Sequence, residues 1–142
     1  MTMRAYSELI ERLKRAGLRP TRQRLALGRL LFGAEAAPVD RHVTAEQLHA
    51  EAMQEGVRVS LATVYNALHQ FTDAGLLREV VVEPGRSYFD TNIADHHHFY
   101  FEESGRLQDI PGDRVQLGEL PETPDGCNVR RVDVIIRLSQ SE

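Results

Sequence analysis

The sequence predicts an α+β fold in which helices come first and strands follow. Three observations support this prediction. Apolar residues recur with helical spacing as far as residue 75, β-branched and aromatic runs follow, and Pro84 and Gly85 separate two of those runs as in a hairpin. With 142 residues, of which 42% are hydrophobic, the chain is long enough for one ordinary domain or two small ones.

Four helices are predicted before the hairpin. The first covers residues 4–16. The second begins after Thr21, the third after Thr44 and the fourth after Ser60, because these side chains accept hydrogen bonds from a first helical turn. Thr44 and Gln47 also form a capping-box pattern. The positions expected to be apolar faces are Tyr6, Leu9, Ile10 and Leu13, then Leu27, Leu30, Leu31 and Ala34, then Leu48 and Met53, and finally Leu61, Val64, Leu68 and Phe71.

Helices followed by the hairpin "REVVVEPGRSYFD" (78–90) are typical of a winged helix-turn-helix, in which the last helix before the hairpin contacts DNA. On a helical wheel, Thr63, Asn66 and Gln70 lie on a polar face, and Tyr65 lies at its boundary. Amide and hydroxyl groups suit contacts in the major groove. An ordinary amphipathic helix with a polar outer face has the same pattern, so the wheel alone does not decide between them.

Charge is distributed unevenly along the chain. The net charge is -4, yet residues 1–86 hold 12 basic and 10 acidic residues, whereas residues 87–142 hold 5 and 11. The first 29 residues are the most basic part. A local basic patch in an acidic protein is typical of nucleic-acid binding confined to one end, although a solvated helix face has the same composition.

Several protein classes are disfavoured by the sequence. No apolar run approaches the roughly 20 residues needed to span a bilayer, and no signal peptide is recognisable, so we expect a cytoplasmic protein without a membrane partner. A single cysteine, Cys127, excludes an internal disulfide and a cysteine-clamped zinc. We expect Cys127 to be buried near the start of a final strand over residues 129–138. Prolines and glycines limit residues 110–126 to one or two helical turns.

Half of the six histidines lie together in "DHHHFY" (95–100). In a strand, His96 and His98 project from one face and His97 from the other. Two imidazoles on one face can bind the same ion. Nitrogen and oxygen ligands favour Fe²⁺, Mn²⁺ or Zn²⁺, with zinc preferred by affinity alone.

Four segments resemble the ferric uptake regulator (Fur) family, and together they span about residues 10–110. They are "GLRPTRQR" (17–24), "HVTAEQLHAEA" (42–52), "RVSLATVYNALHQFTDAGLLRE" (58–79) and the histidine cluster. Within the family, the chain most resembles the iron response regulator branch, Irr, of alphaproteobacteria. The resemblance implies a dimeric, metal- or haem-responsive regulator of iron homeostasis genes that binds operator DNA and acts as a repressor. It implies a winged-helix domain over 1–88, a hinge over 89–95 and a small α/β dimerisation and sensing domain over 96–142.

The resemblance also implies functional residues. The metal ligands expected from it are His42, Asp90, His96, His98 and Asp109, the last placed after the strand that follows the histidines. A second metal site is partly present as Asp95, His97 and Asp113. The resemblance implies DNA contacts from Arg19, Ser60, Thr63, Tyr65 and Asn66. Arg22, Arg24 and Arg58 are further expected DNA contacts, and Arg19, Arg22 and Arg24 are expected to touch phosphates. Fur proteins usually have arginine where this chain has Asn66, so we expect a different operator preference.

The cofactor expected from the resemblance is a divalent ion, Fe²⁺ or Mn²⁺ physiologically, with Zn²⁺ also suitable. Haem is a further effector, and His96, His97 and His98 are its candidate ligands, because the chain lacks the Cys-Pro motif of some Irr proteins. "FEESG" (101–105) replaces the family's Cys-x-x-Cys-Gly, so no structural cysteine-ligated zinc is expected.

Three other functions remain open from the sequence alone. One is a peroxide-, manganese- or zinc-responsive repressor of the same family, and another is a metal buffer or a DNA-binding protein that does not respond to metal. The third, more remote, is a metal-dependent enzyme, since histidines and carboxylates also bind hydrolytic zinc. The chain has no His-Glu-x-x-His helix and no glycine-rich phosphate loop, so we do not expect an enzyme.

Overall fold

A computed structural model describes residues 3–33 and 40–140 of the chain. The chain divides into two compact units, Met1–Ile93 and Ala94–Glu142, which are considered separately below. The boundary falls in the segment expected as a hinge, residues 89–95. The domain limits proposed from the resemblance stay a prediction.

The first unit contains the four predicted helices and the hairpin. The helices are α1 (Met3–Arg15), α2 (Arg22–Phe32), α3 (Ala45–Gln54) and α4 (Leu61–Asp73), and the strands are β1 (His42–Val43), β2 (Arg78–Glu83) and β3 (Arg86–Asp90). The short strand β1 was not predicted. It pairs with β3, so the hairpin becomes a three-stranded antiparallel sheet in the order β1-β3-β2.

All three predicted helix caps are confirmed. Thr21 Oγ1 accepts a hydrogen bond from the Arg24 amide, at 3.2 Å, and Ser60 Oγ accepts one from the Thr63 amide, at 3.1 Å. At α3, Thr44 and Gln47 form both bonds of the capping box. These bonds satisfy amide groups that have no partner within the helix, and they fix where α2, α3 and α4 begin.

The core of the first unit is largely as predicted. Leucines of α1, α2 and α3 pack with Val64, Leu68 and Phe71 of α4, and these side chains are nearly inaccessible to solvent. Three predicted core residues are instead exposed: Tyr6 by 45%, Met53 by 55% and Leu61 by 36%. Leu61 and Met53 lie in the first and last turns of their helices, beyond the region covered by neighbouring elements. Ala34 lies outside the described residues.

The second unit is a small sheet. Its strands are β4 (His96–Phe101), β5 (Arg106–Pro111) and β6 (Ile135–Leu138), in the order β5-β4-β6. The β4 and β5 strands are antiparallel, and β6 runs parallel to β4. A single 3₁₀ turn, Gly112–Arg114, follows β5, in agreement with the limited helix expected after residue 110.

Three details of the second unit were predicted wrongly. The final strand begins at Ile135 rather than at residue 129. Cys127 is exposed rather than buried, because it ends a turn in which its amide donates to the Pro124 carbonyl at 3.0 Å. Asp109 lies within β5 rather than after it. Among the described helices, none has the length and apolar character required to cross a bilayer.

Candidate metal centre and nucleic-acid interface

Three of the predicted metal ligands lie together in the second unit. His96 and His98 project from the same face of β4, with ring centroids 4.5 Å apart, and both are almost fully buried. Asp109 stands directly opposite His98 on β5. Asp109 Oδ1 lies 3.3 Å from His98 Nε2 and 3.6 Å from His96 Nε2. One carboxylate oxygen therefore faces two imidazole nitrogens.

The tautomer of His96 follows from its second nitrogen. His96 Nδ1 lies 2.6 Å from the Ala94 carbonyl oxygen. Because a carbonyl only accepts, Nδ1 must carry the proton, and in the neutral ring Nε2 presents a lone pair to Asp109. His96 Nε2 and Asp109 Oδ1 are then two acceptors that face each other, one on a buried imidazole and the other on a side chain that is 37% exposed. A cation bound between them would satisfy both acceptors.

The spacing of these atoms fits a small divalent ion. Two ligands bound at about 2.0–2.1 Å to one tetrahedral ion lie about 3.4 Å apart. The two nitrogen-to-oxygen distances, 3.3 and 3.6 Å, are close to that value. The bond from Ala94 to His96 Nδ1 is also the kind of outer contact that orients a ligating histidine. The donor set therefore suits an ion such as zinc, manganese or iron.

The other two predicted ligands are neighbours in the first unit. In the β1-β3-β2 sheet, Asp90 is directly opposite His42 on one side and Arg78 on the other. Residues directly opposite in a sheet project from the same face. Asp90 is fully buried, and its Oδ1 accepts a hydrogen bond from the Asn92 amide at 2.9 Å. The unpredicted strand β1 is what brings His42 beside Asp90.

The predicted second metal site is not assembled in the same way. Among residues 3–33 and 40–140, Asp95, His97 and Asp113 do not belong to a group of acids and histidines close enough to hold one ion. His97 Nδ1 accepts a hydrogen bond from the Val134 amide at 3.0 Å. A neutral His97 must then carry its proton on Nε2, which leaves no lone pair for an ion. The second site stays a prediction.

The predicted DNA-contacting residues of α4 lie around its exposed first turns. Ser60 Oγ caps the helix and also donates to Thr63 Oγ1, at 2.9 Å. Asn66 is exposed, as the wheel predicted. The Tyr65 ring stacks on His69, with ring centroids 6.3 Å apart. The Tyr65 hydroxyl donates to Glu46 Oε1 of α3 at 3.2 Å.

Glu46 is a residue that the sequence analysis missed. Desolvation of the Tyr65 hydroxyl, followed by the negative charge of Glu46, raises the pKa of Tyr65 above its ordinary value. Tyr65 therefore keeps its proton at neutral pH and remains a hydrogen-bond donor. Nothing in the sequence pattern indicated this contact, because Glu46 and Tyr65 are 19 residues apart and lie on different helices.

The basic residues divide into two groups in the structure. Arg19, Arg22 and Arg58 are exposed, as expected of side chains that contact phosphates. Arg24 instead directs its guanidinium at other protein atoms, Gln70 Oε1 and the Arg19 carbonyl. A groove of about 490 Å³ is formed there between the start of α2 and α4. Its lining residues are Arg19, Thr21, Gln23, Arg24, Thr63, Asn66, Ala67 and Gln70.

Comparison with known proteins agrees with the resemblance to the ferric uptake regulator family. The model of the ferric uptake regulator family matches residues 15–134. A peroxide-responsive repressor, PerR, of Staphylococcus aureus (strain Mu50) is 33% identical over 103 residues, which cover 72% of this chain and 66% of that protein. The chain thus spans just under two thirds of the length of this relative. None of these names supports the narrower resemblance to Irr, which stays a prediction.

Solved structures show the same fold. The ferric uptake regulator of Pseudomonas aeruginosa with manganese has a TM-score of 0.66 and 23% identity, covering 93% of this chain and 97% of that one. The ferric uptake regulator of Vibrio cholerae has a TM-score of 0.68 and 23% identity, covering 92% and 98%. These similarities confirm the α+β fold class, with helices in the first part and a small sheet in the second.

Proposed function

Because the chain belongs to the ferric uptake regulator family, we propose that it is a metal-responsive transcriptional regulator that binds operator DNA through its winged helix. The main support for this function is the group formed by the buried His96 and His98 and the partly exposed Asp109, whose Nε2 and Oδ1 atoms have the spacing of ion ligands. Members of this family are transcriptional regulators, and an enzymatic role is not proposed.

His96, His98 and Asp109 would hold a divalent ion. Three ligands are fewer than the four of a closed tetrahedral site. We propose that His42 and Asp90 supply the further ligands, as the family resemblance implies. When bound, the ion supplies the positive charge that the facing acceptors lack. Three imidazoles and two carboxylates suit Fe²⁺ or Mn²⁺ in the cell and bind Zn²⁺ at least as strongly.

We propose that the chain acts as a homodimer. The second unit has a small core of its own: its buried hydrophobic residues, among those described, are Tyr100, Leu107 and Ile110. Four other large apolar side chains in this unit are exposed by between 38% and 54%, namely Leu117, Leu120, Val129 and Ile136. A sheet with so little buried apolar surface gains stability by covering these side chains with a second copy.

The effector that we propose is iron or manganese, in a regulator of iron homeostasis genes. Haem is the weaker candidate, because the Nε2 atoms of His96 and His98 both face Asp109 at the spacing of a small ion. A peroxide-responsive repressor is the second candidate function, and the relatives named PerR favour it. Peroxide added to the iron-loaded and manganese-loaded proteins separates the two, since only a peroxide sensor loses operator binding in the iron form.

The Tyr65→Ala variant tests DNA binding separately from metal binding. We expect it to weaken binding to an operator selected from a random duplex library by about 10-fold, because loss of one interface contact that leaves its partner unpaired costs about 1–3 kcal/mol. Uptake of Mn²⁺, measured by calorimetry, stays unchanged because Tyr65 lies in α4 and not among the expected ligands.

Tyr6→Ala is the matched control for this experiment. Tyr6 is an exposed tyrosine of α1 that is not among the predicted DNA contacts, so we expect its removal to leave operator affinity unchanged. Equal operator affinity of the Tyr65→Ala variant and the wild type, measured by fluorescence anisotropy, would count against α4 as the DNA-contacting helix.

A further inference from the structure

The guanidinium of Arg24 is held by three hydrogen bonds within the protein. Its Nε and Nη2 donate to Gln70 Oε1 at 3.3 and 3.0 Å, and its Nη1 donates to the Arg19 carbonyl at 3.0 Å. Gln70 is 46 residues away along the chain, on α4. Arg24 therefore links the start of α2 to the helix that the proposed function assigns to DNA.

The chemistry of the two groups fixes the orientation of the Gln70 amide. A guanidinium has donors only, so the atom of Gln70 that faces it must be the carbonyl oxygen and not the NH₂ group. Two N–H groups of Arg24 then occupy both lone pairs of that oxygen. The part of Gln70 left for other partners is its NH₂ group, which only donates.

This arrangement changes what Gln70 recognises. A glutamine that pairs with adenine normally uses its oxygen to accept from N6 and its NH₂ group to donate to N7. With its oxygen occupied by Arg24, Gln70 cannot accept. It can still donate to guanine O6 or N7, to thymine O4, or to a phosphate oxygen.

The location of the pair agrees with a role in the DNA interface. Arg24 and Gln70 both line the groove of about 490 Å³ that also contains Arg19, Thr63 and Asn66, all of which are predicted DNA contacts. Gln70 is exposed. Its amide therefore adjoins the surface where an operator would lie.

We propose that Arg24 is a positioning residue that fixes Gln70 as a donor-only contact to a hydrogen-bond acceptor on the operator, rather than a phosphate contact itself. This inference rests on the proposed function. It replaces the expectation that Arg24, like Arg19 and Arg22, neutralises a phosphate.

Salt dependence separates the two roles of Arg24. An arginine that neutralises one phosphate contributes about 0.9 to the slope of log affinity against log salt, whereas an arginine that contacts no phosphate contributes much less than that. We expect Arg24→Ala to weaken operator binding by about 10-fold, with a change in slope well below about 0.9. Arg22→Ala is the matched control, with the same charge removed two positions away, and it lowers the slope by about 0.9.

A double-mutant cycle tests the coupling through Gln70. We expect Gln70→Ala to weaken binding about as much as Arg24→Ala, and the double variant to be no weaker than either single variant, because both remove the same contact. Loss of affinity at one operator base pair identifies a base acceptor, whereas uniform loss across operator variants identifies a phosphate oxygen. Either pattern supports the donor-only contact.

Two results would overturn the inference. One is a slope lowered by about 0.9 in Arg24→Ala, and the other is additive effects of the two substitutions. In the free protein, Gln70→Ala should also shift the NMR resonance of Arg24 Nε, which checks the hydrogen bond without DNA. Failure of the wild type to bind any operator would count against the proposed function instead, so the two failures are distinguishable.

Discussion

Replacing His96 and His98 together by alanine abolishes the metal response. Both side chains are nearly inaccessible and face the same carboxylate oxygen, so their removal deletes two of three clustered ligands. Loss of an outer partner of a ligand already costs about 10–100-fold in metal affinity, and loss of two ligands should exceed that range. Calorimetric titration with Mn²⁺ measures the affinity, and operator binding with and without Mn²⁺ measures the response.

Two further variants distinguish the loss of metal ligands from a folding defect. Asp109→Asn keeps the size of a side chain that is 37% exposed and removes its charge, so the sheet is retained while metal affinity falls. His69→Ala removes a histidine from the exposed side of α4 and leaves metal affinity unchanged. Wild-type Mn²⁺ affinity in both the His96→Ala/His98→Ala and Asp109→Asn proteins would refute the assignment of the site.

Replacing Phe71 by alanine should have the largest effect on stability. Phe71 is fully buried at the centre of the first unit's core, where its ring meets the edge of Phe32 at a centroid distance of 6.0 Å. Removing a buried phenylalanine costs about 3–5 kcal/mol, whereas an entire domain is stable by about 5–15 kcal/mol. We expect the free energy of unfolding of this unit, measured with urea, to fall by about 3–5 kcal/mol.

Tyr6→Ala serves as the comparison for Phe71→Ala. It also removes an aromatic ring from a helix of the same unit, but from a side chain that is 45% exposed, so we expect a change within about 0.5 kcal/mol. Similar decreases in the free energy of unfolding of the two variants would mean that the core does not depend on Phe71. The Phe71→Ala protein should lose operator binding under conditions in which the first unit is unfolded, because α4 is part of that core.

Much of the fold was predictable because local signals coincide with the tertiary structure. The Ser and Thr caps give the starts of α2, α3 and α4, and the alternation of the histidine strand places His96 and His98 on one face. These features depend on nearby residues alone. The exposure of Leu61 and Met53 was not predictable in this way, because the helical period does not show where neighbouring elements stop covering a helix.

The candidate site depends on pairings that the sequence does not specify. His42 lies beside Asp90 only because a two-residue strand pairs with β3, and so short a strand has no recognisable period. Asp109 meets His98 because of the β4-β5 register. The hydrogen bond from Arg24 to Gln70 joins residues 46 positions apart, so composition alone suggested a phosphate contact for Arg24.

We propose that an ion bound at His96, His98 and Asp109 controls DNA binding. The operator affinity of the wild-type protein with and without Mn²⁺, measured by fluorescence anisotropy at fixed salt, tests this directly. We expect at least about 10-fold tighter binding with Mn²⁺, within the usual range of coupling between two sites. Equal affinity in the two conditions, with Mn²⁺ shown by calorimetry to be bound, would contradict it.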